Sequence, residues 1–283
     1  MWARTCSACP RASEAQAIPT FIPIDDPVDA RLDAYRDIRE RDLVGRQGRF
    51  IAEGETVLRV LAGQQRFRPL SVLIAAKRLE KLMPILEQLA QEVPVFLASQ
   101  PVLDTIVGFE LHRGILALAE RAAPVMADDL LAGLPDRALV LALVGIANHD
   151  NMGGLFRNAA GFGVDAVLLD PTCCDPLYRK AIRVSVGGVL CMPYARLGEG
   201  EDLIGLLARR DFTPVALSPS GETALSDLPP LARPALLLGA EGPGLPDATL
   251  ARCRTVSIPM APGFDSLNVA VAAGIALHAL RSG

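Results

Sequence analysis

The sequence predicts an α/β protein of two units, a small N-terminal α/β unit over residues 29–120 and a larger C-terminal unit with a parallel sheet over residues 138–283. From Ala138 onward, short apolar segments alternate with helical ones, which is typical of a parallel sheet covered on both faces. Residues 121–137 carry two prolines, an acidic pair and little periodicity, as expected of a linker. At 283 residues and 51% hydrophobic, the chain is long enough for two modest cores.

The N-terminal unit is expected to follow a loose arm. Residues 1–28 contain two arginines, several prolines and no continuous apolar stretch, so they predict a flexible arm and lack the hydrophobic region of a secretory signal. Periodicity and turn residues then predict a charged helix near residues 30–43, a helix near 54–62, a strand at Leu70–Ala75, a helix at Leu79–Glu92, a strand at Val93–Leu97, a short helix after Ser99 and a strand at Gly114–Glu120.

The C-terminal unit is predicted from five apolar strands, at Ala138–Val144, Ala166–Leu169, Thr213–Leu217, Ala235–Leu238 and Thr255–Ile258. The last segment, Leu267–Leu280, is apolar nearly all round, as expected of a helix that packs against the sheet and against a second surface. A second subunit is one candidate for that surface. No apolar run reaches the roughly 18 residues that suggest a membrane span, so we expect no membrane partner.

Charge and cysteine content limit the classes of function. The net charge of −4 argues mildly against nucleic-acid binding. The segment from Arg31 to Leu70, however, contains nine arginines and six acidic residues, so its local net charge is nine minus six, or +3. That segment either meets a polyanion or is a solvated helix with intrahelical ion pairs. The six cysteines include one CxxC pair, Cys6 and Cys9, without a second pair or the histidines of a zinc site. We therefore expect no metal, and reduced thiols in a cytoplasmic protein.

Three clusters of polar residues follow predicted strands of the C-terminal unit, where open α/β sheets bind ligands. The first, Asn148–Arg157, contains the spacing NxGxxxR, formed by Asn151, Gly153 and Arg157. Asn151 is a good helix N-cap residue, and Arg157 then lies about two turns into the helix. A helix N-terminus with glycines admits a second backbone and attracts phosphate. A capped helix with a surface arginine explains the same pattern.

The other two clusters follow the fourth and fifth strands. Gly239–Leu245 is rich in glycine but lacks the GK[ST] of a P-loop and the spacing GxGxxG. It is either a tight turn or a site in which Glu241 faces a cationic or hydroxyl-bearing ligand. In Ile258–Val269, Ser266 is suited to cap the final helix, and Asn268 in its first turn is suited to hydrogen-bond the loop. Asn268 also offers two donors and two acceptor lone pairs to a polar substrate.

In this order and at this spacing, the clusters resemble the three motifs of the SpoU/TrmH family of SPOUT RNA methyltransferases. The stretch around Phe50–Gly54 is also similar to the ribosomal-protein-like RNA-binding domain of that family, so the resemblance extends over nearly the whole chain. The stretches that carry the motifs are NxGxxxR (Asn151, Gly153, Arg157), GxEGxGL (Gly239–Leu245) and IPM followed by SLNVAVA (Ile258–Ala272).

The resemblance implies an enzyme that methylates a ribose 2′-hydroxyl of transfer or ribosomal RNA, with S-adenosylmethionine as cofactor. It implies that residues 138–283 form a SPOUT domain with a deep C-terminal trefoil knot, that residues 29–120 form the RNA substrate-binding domain, and that the chain pairs as a homodimer through the knot. The positions that match the cofactor site of the family are Leu217, Ser218, Gly239, Ala240, Gly244, Ile258, Met260 and Leu267.

The resemblance also implies roles at the catalytic site. Asn151 and Asn268 position the 2′-hydroxyl, Glu241 and Ser266 organise the site, and Arg157 activates the hydroxyl. Because a guanidinium stays protonated in proteins, we expect Arg157 to hold the adjacent phosphate and to stabilise negative charge on the 2′-oxygen. A further family segment is similar to the stretch that contains Arg183 and Ser185, which implies contact with RNA; an ordinary surface loop is the alternative.

Two other functions stay open. A SPOUT enzyme that methylates a base nitrogen shares the fold and the cofactor, but such enzymes usually lack the combination of Asn151, Arg157, Ser266 and Asn268. A non-catalytic RNA-binding or ribosome-assembly protein would keep the fold without turnover. An ordinary nucleotide-binding α/β protein would carry its glycine loop after the first strand, where this sequence has none.

Overall fold

The computed structural model describes residues 19–36, 40–108, 111, 113–263 and 266–282, and the elements below lie within them. The strands are β1 Phe21–Ile24, β2 Arg49–Glu53, β3 Arg68–Ala75, β4 Val95–Ala98, β5 Ile115–Glu120, β6 Val140–Leu143, β7 Ala166–Leu169, β8 Tyr194–Arg196, β9 Thr213–Leu217, β10 Thr223–Ala224, β11 Pro234–Leu238 and β12 Arg254–Ser257. The α-helices are α1 Glu40–Gly45, α2 Glu55–Ala62, α3 Leu79–Leu86, α4 Gln100–Val107, α5 Ala127–Ala132, α6 His149–Phe162, α7 Arg179–Val184, α8 Gly188–Cys191, α9 Leu203–Arg209, α10 Asp247–Leu250 and α11 Val269–Ser282.

The first sheet has five strands in the order β1-β4-β3-β5-β2. Strands β1, β4 and β3 run parallel, and β5 runs antiparallel to both β3 and β2. The flexible arm predicted for residues 1–28 is wrong for Phe21–Ile24, because this segment pairs in register with Val95–Ala98 and buries Ile24. Residues 1–18 lie outside the described residues.

Two further predictions in the N-terminal half need correction. The single charged helix near residues 30–43 is instead a 3-10 helix at Ala30–Tyr35 and the separate helix α1, with residues 37–39 outside the described part. The linker at 121–137 contains α5, whose Ala127 and Leu131 are buried in the core of the second sheet. These side chains give the segment a packing role that its low periodicity did not indicate.

The second sheet has seven parallel strands in the order β10-β12-β9-β11-β6-β7-β8. Along β6, Leu141 and Leu143 enter the core on one face, while Val140 and Ala142 enter the core on the other. Helices α6 and α11 cover the first face, and α5 and α9 cover the second. The prediction of an α/β fold with a parallel sheet buried on both faces is confirmed, although β8 and β10 were not predicted.

The two halves of the chain share one continuous apolar core, which includes Phe50 and Leu58 from the first half and Phe156 and Val189 from the second. Arg66 adds a polar contact between the halves. Its guanidinium donates to the carbonyl oxygen of Met192 at 2.8 Å and lies 4.3 Å from the ring centroid of Tyr194. Because apolar and polar contacts both cross the junction, the first sheet is held in a defined place relative to the second. Within the described residues, no helix is long and apolar enough to cross a membrane.

Candidate active site

A cavity of about 600 Å³ opens where three neighbouring strands of the second sheet end. Strands β12, β9 and β11 lie side by side, and the loops that follow them form the walls together with the start of α11. All eight positions predicted to hold a cofactor line this cavity: Leu217, Ser218, Gly239, Ala240, Gly244, Ile258, Met260 and Leu267. The candidate catalytic residues Glu241, Ser266 and Asn268 line it as well.

The loop after β11 folds back on itself at the edge of this cavity. The Gly244 amide donates to the carbonyl oxygen of Ala240 at 3.0 Å. A Cβ atom on Gly239 would lie 2.2 Å from the carbonyl carbon of Gly244, so only glycine permits this approach. The tight turn leaves the side chain of Glu241 exposed at the cavity rim.

The side-chain amide of Asn268 connects all three sequence clusters. Its Nδ2 donates to Oδ1 of Asn151 at 2.9 Å and to Oε1 of Glu241 at 3.2 Å. Its Oδ1 accepts from the backbone amides of Ala270 at 2.9 Å and Val271 at 3.3 Å, so it caps α11. One side chain therefore fixes the start of a helix with its oxygen and holds two neighbouring polar groups with its nitrogen.

The caps differ from those expected from the sequence. The N-cap of α6 is Asn148, whose Oδ1 accepts from the amides of Asp150 and Asn151. Asn151, expected as the cap, instead lies in the first turn with its side chain 7% exposed. The cap of α11 is Asn268 rather than Ser266. Asn151 therefore does not cap α6, and its side-chain oxygen accepts a hydrogen bond from Asn268.

Helix α6 is held between two other helices by its glycines. A Cβ on Gly153 would lie 2.7 Å from the carbonyl oxygen of Ala181 in α7, and a Cβ on Gly154 would lie 2.8 Å from the Cβ of Ala270 in α11. The absence of side chains at these positions lets both neighbours pack against the first turn of α6. The packing fixes Asn151, in the same turn, relative to Asn268.

Two of the predicted catalytic residues, Asn151 and Arg157, do not line this cavity. Asn151 is connected to it through the hydrogen bond from Asn268. Arg157 lies further along α6, and its side chain is exposed. Asn151 and Arg157 are six residues apart on one helix, which places them on different sides of it. An exposed guanidinium on this helix can bind an anion that approaches from solvent.

The resemblance implied that the loop at residues 217–220 contributes to the cofactor site, and Pro219 and Ser220 line the cavity. No role was predicted from the sequence for Leu238, which ends β11, or for Asp247 and Leu250 of α10. The signal for Leu238 was available, because it stands at the carboxyl end of a predicted strand. The walls thus combine apolar side chains with backbone groups of three loops. This composition suits a ligand with a flat apolar ring and polar groups at its edges.

Comparisons with known proteins agree with this geometry. Residues 138–278 match the sequence model of the SpoU rRNA Methylase family. An uncharacterized tRNA/rRNA methyltransferase from Mycobacterium bovis is 41% identical over 265 residues, which cover 89% of each chain. The 23S rRNA (guanosine-2′-O-)-methyltransferase RlmB of Salmonella typhimurium is 30% identical over 75% of this chain and 89% of its own length. The structure of the SpoU methyltransferase AviRb from Streptomyces viridochromogenes in complex with AdoMet is 25% identical, with a TM-score of 0.73 over 90% of this chain and 97% of that one.

Proposed function

The chain belongs to the SpoU rRNA methylase family, and we propose that it methylates a ribose 2′-hydroxyl of ribosomal or transfer RNA with S-adenosylmethionine as cofactor. It is an RNA ribose-2′-O-methyltransferase by its relation to a family whose member RlmB carries that activity in its name. The single observation that carries the proposal is the amide of Asn268, which joins residues from all three clusters at one cavity.

The cavity fits S-adenosylmethionine in volume and in chemistry. Apolar side chains such as Leu217, Ile258 and Leu267 suit an adenine ring, and the backbone groups of the surrounding loops suit its polar edge. The exposed carboxylate of Glu241 places a negative charge at the rim, which is favourable for a cationic ligand. A related SpoU structure, that of AviRb, was solved in complex with AdoMet.

When bound, S-adenosylmethionine supplies an electrophilic methyl group on a positively charged sulfur, so transfer requires an aligned oxygen nucleophile. Asn268 holds Oδ1 of Asn151, which leaves the amide nitrogen of Asn151 as a donor to a substrate hydroxyl. Glu241 keeps the Asn268 amide in place through the second hydrogen bond, and Ser266 lines the same wall. Together these groups orient the 2′-hydroxyl. Arg157 holds the adjacent phosphate and stabilises negative charge on the oxygen, whose proton passes to solvent water.

The same proposal includes a homodimer. Val271 and Ile275 lie four residues apart on the same side of α11, and they are 54% and 42% exposed. An apolar stripe of this kind suits burial against a second copy of the chain. Helix α11 packs beside α6, which carries the exposed Arg157. In a dimer that buries this face, Arg157 of each protomer would lie near the cavity of the other protomer, so each protomer would complete its partner's site.

Two finer features of the fold and the location of the protein belong to the proposal as well. We infer a deep trefoil knot in the C-terminal segment, supported by close crossings of the loops: a Cβ on Gly221 would lie 2.2 Å from the carbonyl carbon of Val256. Residues 29–120 serve as the RNA substrate-binding domain, supported by the similarity around Phe50–Gly54. Residues 121–137 connect it to the SPOUT domain, and the protein works in the cytoplasm.

The test is transfer of labelled methyl from S-adenosylmethionine to RNA isolated from a strain that lacks the gene. Ribose 2′-O-methylation blocks alkaline cleavage at the modified nucleotide, so the expected label survives in alkali-resistant dinucleotides and is lost with Arg157→Ala. Label in alkali-sensitive mononucleotides would indicate base methylation instead. Cofactor binding without transfer to any RNA fraction would favour a non-catalytic RNA-binding protein.

A further inference from the structure

A second cavity, of about 320 Å³, lies between the two halves of the chain and shares no lining residue with the first. The first half contributes Arg78, Arg113 and the first turn of α2. The second half contributes Arg183 from α7 and Val186 from the turn that follows. We call this space the junction cleft. Its walls depend on the docking of one half against the other.

Three arginines give the junction cleft a positive charge in a chain whose net charge is −4. Within the described part of the chain, neither Arg78 nor Arg113 forms an ion pair. The acid that lines the cleft, Glu55, is already engaged by Lys81 at 2.8 Å and Arg59 at 3.6 Å. The hydrogen bond from Lys81 lowers the pKa of Glu55, so its charge is balanced locally. Arg78 and Arg113 are therefore left to attract an anion.

A buried carboxylate fixes one of these arginines. Glu53 ends β2 with 5% of its surface exposed, and its Oε2 lies 3.6 Å from Nη1 of Arg183 and 3.8 Å from Nε of Arg179. These separations are too long for hydrogen bonds, and no described group donates to that buried oxygen. Burial of an ionised carboxylate is costly unless opposite charges lie close to it. Glu53 thus holds α7 by charge and orients Arg183 towards the cleft.

The backbone adds donors to the same place. Helix α2 begins after Gly54, which has a φ of +98° and provides no side-chain cap. The backbone amides of the first turn, which lies at the cleft wall, therefore donate to no capping side chain. A Cβ on Gly54 would lie 3.1 Å from Nη1 of Arg113, so the glycine lets this guanidinium lie directly on the helix start. Guanidinium groups beside free helix amides form a favourable environment for a phosphate.

We propose that the junction cleft binds a backbone phosphate of the substrate RNA, through Arg78, Arg113 and Arg183 acting together. The inference rests on the proposed function, because RNA is the polyanion that such an enzyme must hold. Since the cations come from both halves, the phosphate is bound only when the RNA-binding half is docked on the catalytic half.

The cleft is also connected to the candidate active site by direct packing. A Cβ on Gly187 would lie 3.0 Å from Val60 of α2, and a Cβ on the next residue, Gly188, would lie 3.0 Å from the carbonyl oxygen of Phe156 and 3.5 Å from the Cα of Arg157. Because Gly187 and Gly188 have no side chains, little more than their backbone lies between α2 and α6. A phosphate held in the cleft is placed at a fixed distance from Arg157, which sets where along the RNA the reacting ribose falls.

The experiment compares Arg78→Gln, Arg113→Gln and Arg183→Gln with Arg254→Gln in the full-length protein. Arg254 is an exposed arginine at the amino end of β12, the end opposite to the first cavity, so it is a matched control for loss of one charge. The probe is RNA from a strain that lacks the gene. Each cleft variant should raise KM for RNA about 10-fold with little change in kcat, because one charge-assisted contact is lost. Affinity for S-adenosylmethionine should stay as in the wild type.

Salt dependence gives a second readout that a folding defect would not produce. Loss of one phosphate contact lowers the slope of log affinity against log salt by about 0.7 for single-stranded RNA. Glu53→Gln tests the positioning role: it should raise KM less than Arg183→Gln does. The double variant should raise KM no further than Arg183→Gln alone, because Glu53 acts through Arg183.

The outcomes separate this inference from the proposed function. If the wild type methylates RNA and the three cleft variants match Arg254→Gln in KM and in salt slope, the cleft does not bind phosphate. If the wild type methylates no RNA, the proposed function fails, and direct RNA-binding titrations still decide on the cleft. In these titrations, weaker RNA binding by the cleft variants than by Arg254→Gln supports a phosphate site in the junction cleft, and equal RNA binding overturns it.

Discussion

Replacement of Asn268 separates the two tasks that its side chain performs. Asn268→Ala removes both the cap of α11 and the donor that holds Asn151 and Glu241. Asn268→Asp keeps an oxygen that can accept from Ala270, but it lacks the donor and brings a negative charge next to Glu241. The two variants should therefore differ in stability and agree in activity.

The expected magnitudes follow from the contacts. Loss of a helix cap costs about 1 kcal/mol. The oxygen of Asn151, in a side chain only 7% exposed, loses its partner in both variants, at a cost of about 1–3 kcal/mol. The hydrogen bond to exposed Glu241 adds little to stability. Asn268→Ala should therefore lower the free energy of unfolding by roughly 3 kcal/mol, and Asn268→Asp by about 1 kcal/mol less, because an acidic cap is favoured at a helix N-terminus.

Urea denaturation measures the stability difference, and single-turnover methyl transfer at saturating S-adenosylmethionine measures the chemical step. Both variants should transfer methyl about 100-fold more slowly than the wild type, because the 2′-hydroxyl is no longer aligned. Near-normal transfer by Asn268→Asp would show that the donor to Asn151 and Glu241 is dispensable, which contradicts the role given to Asn268. Equal stability of the two variants would refute the capping role.

Three more predictions follow from contacts elsewhere in the chain. Gly153→Ala should destabilise the protein by about 1–3 kcal/mol in urea denaturation, because its Cβ would lie 2.7 Å from a backbone oxygen of α7. The control is Gly161→Ala in the same helix, whose Cβ would meet nothing within 4 Å, and it should stabilise the protein by about 0.5–1 kcal/mol. Burial raises the pKa of Tyr194 from 10.0 to about 12, so the folded state holds this proton more tightly than the unfolded state; stability should fall as the pH rises from 10 towards 12, and less steeply in Tyr194→Phe. Equal mixtures of Arg157→Ala and Asn268→Asp proteins, each nearly inactive and refolded together, should regain about a quarter of wild-type transfer if each site takes Arg157 from the partner; no recovery would place both residues in one protomer's site.

The strands that the sequence predicted are those whose apolar pattern is set by burial on two faces. Segments such as Ala166–Leu169 and Thr213–Leu217 are long and apolar enough to be read directly, and the structure has them with the same bounds. Strands β8 and β10 span only three and two residues and contain Tyr194, Arg196 and Thr223, so no hydrophobic period marks them. β1 was not recognised because it contains Pro23 and lies in a segment that was interpreted as an arm.

The sequence indicated which loops lie together at the candidate site, but it assigned the caps at the helix starts wrongly. Strand ends fix where the loops lie, so the eight cofactor positions converge on one cavity. Cap assignment failed because Asn148 and Asn151 are equally able to cap, and only the path of the chain selects Asn148. The contact of Glu53 with Arg179 and Arg183 joins residues more than 120 positions apart, and a single sequence carries no signal for it.

Nucleoside mass spectrometry of ribosomal and transfer RNA from a strain that lacks the gene shows directly whether the chain methylates a ribose in the cell. We expect that one 2′-O-methylated nucleoside is missing, that the wild-type gene restores it, and that Asn268→Asp, expressed at the same level, does not. Restoration of a base-methylated nucleoside, or equal restoration by the wild type and Asn268→Asp, would contradict this expectation.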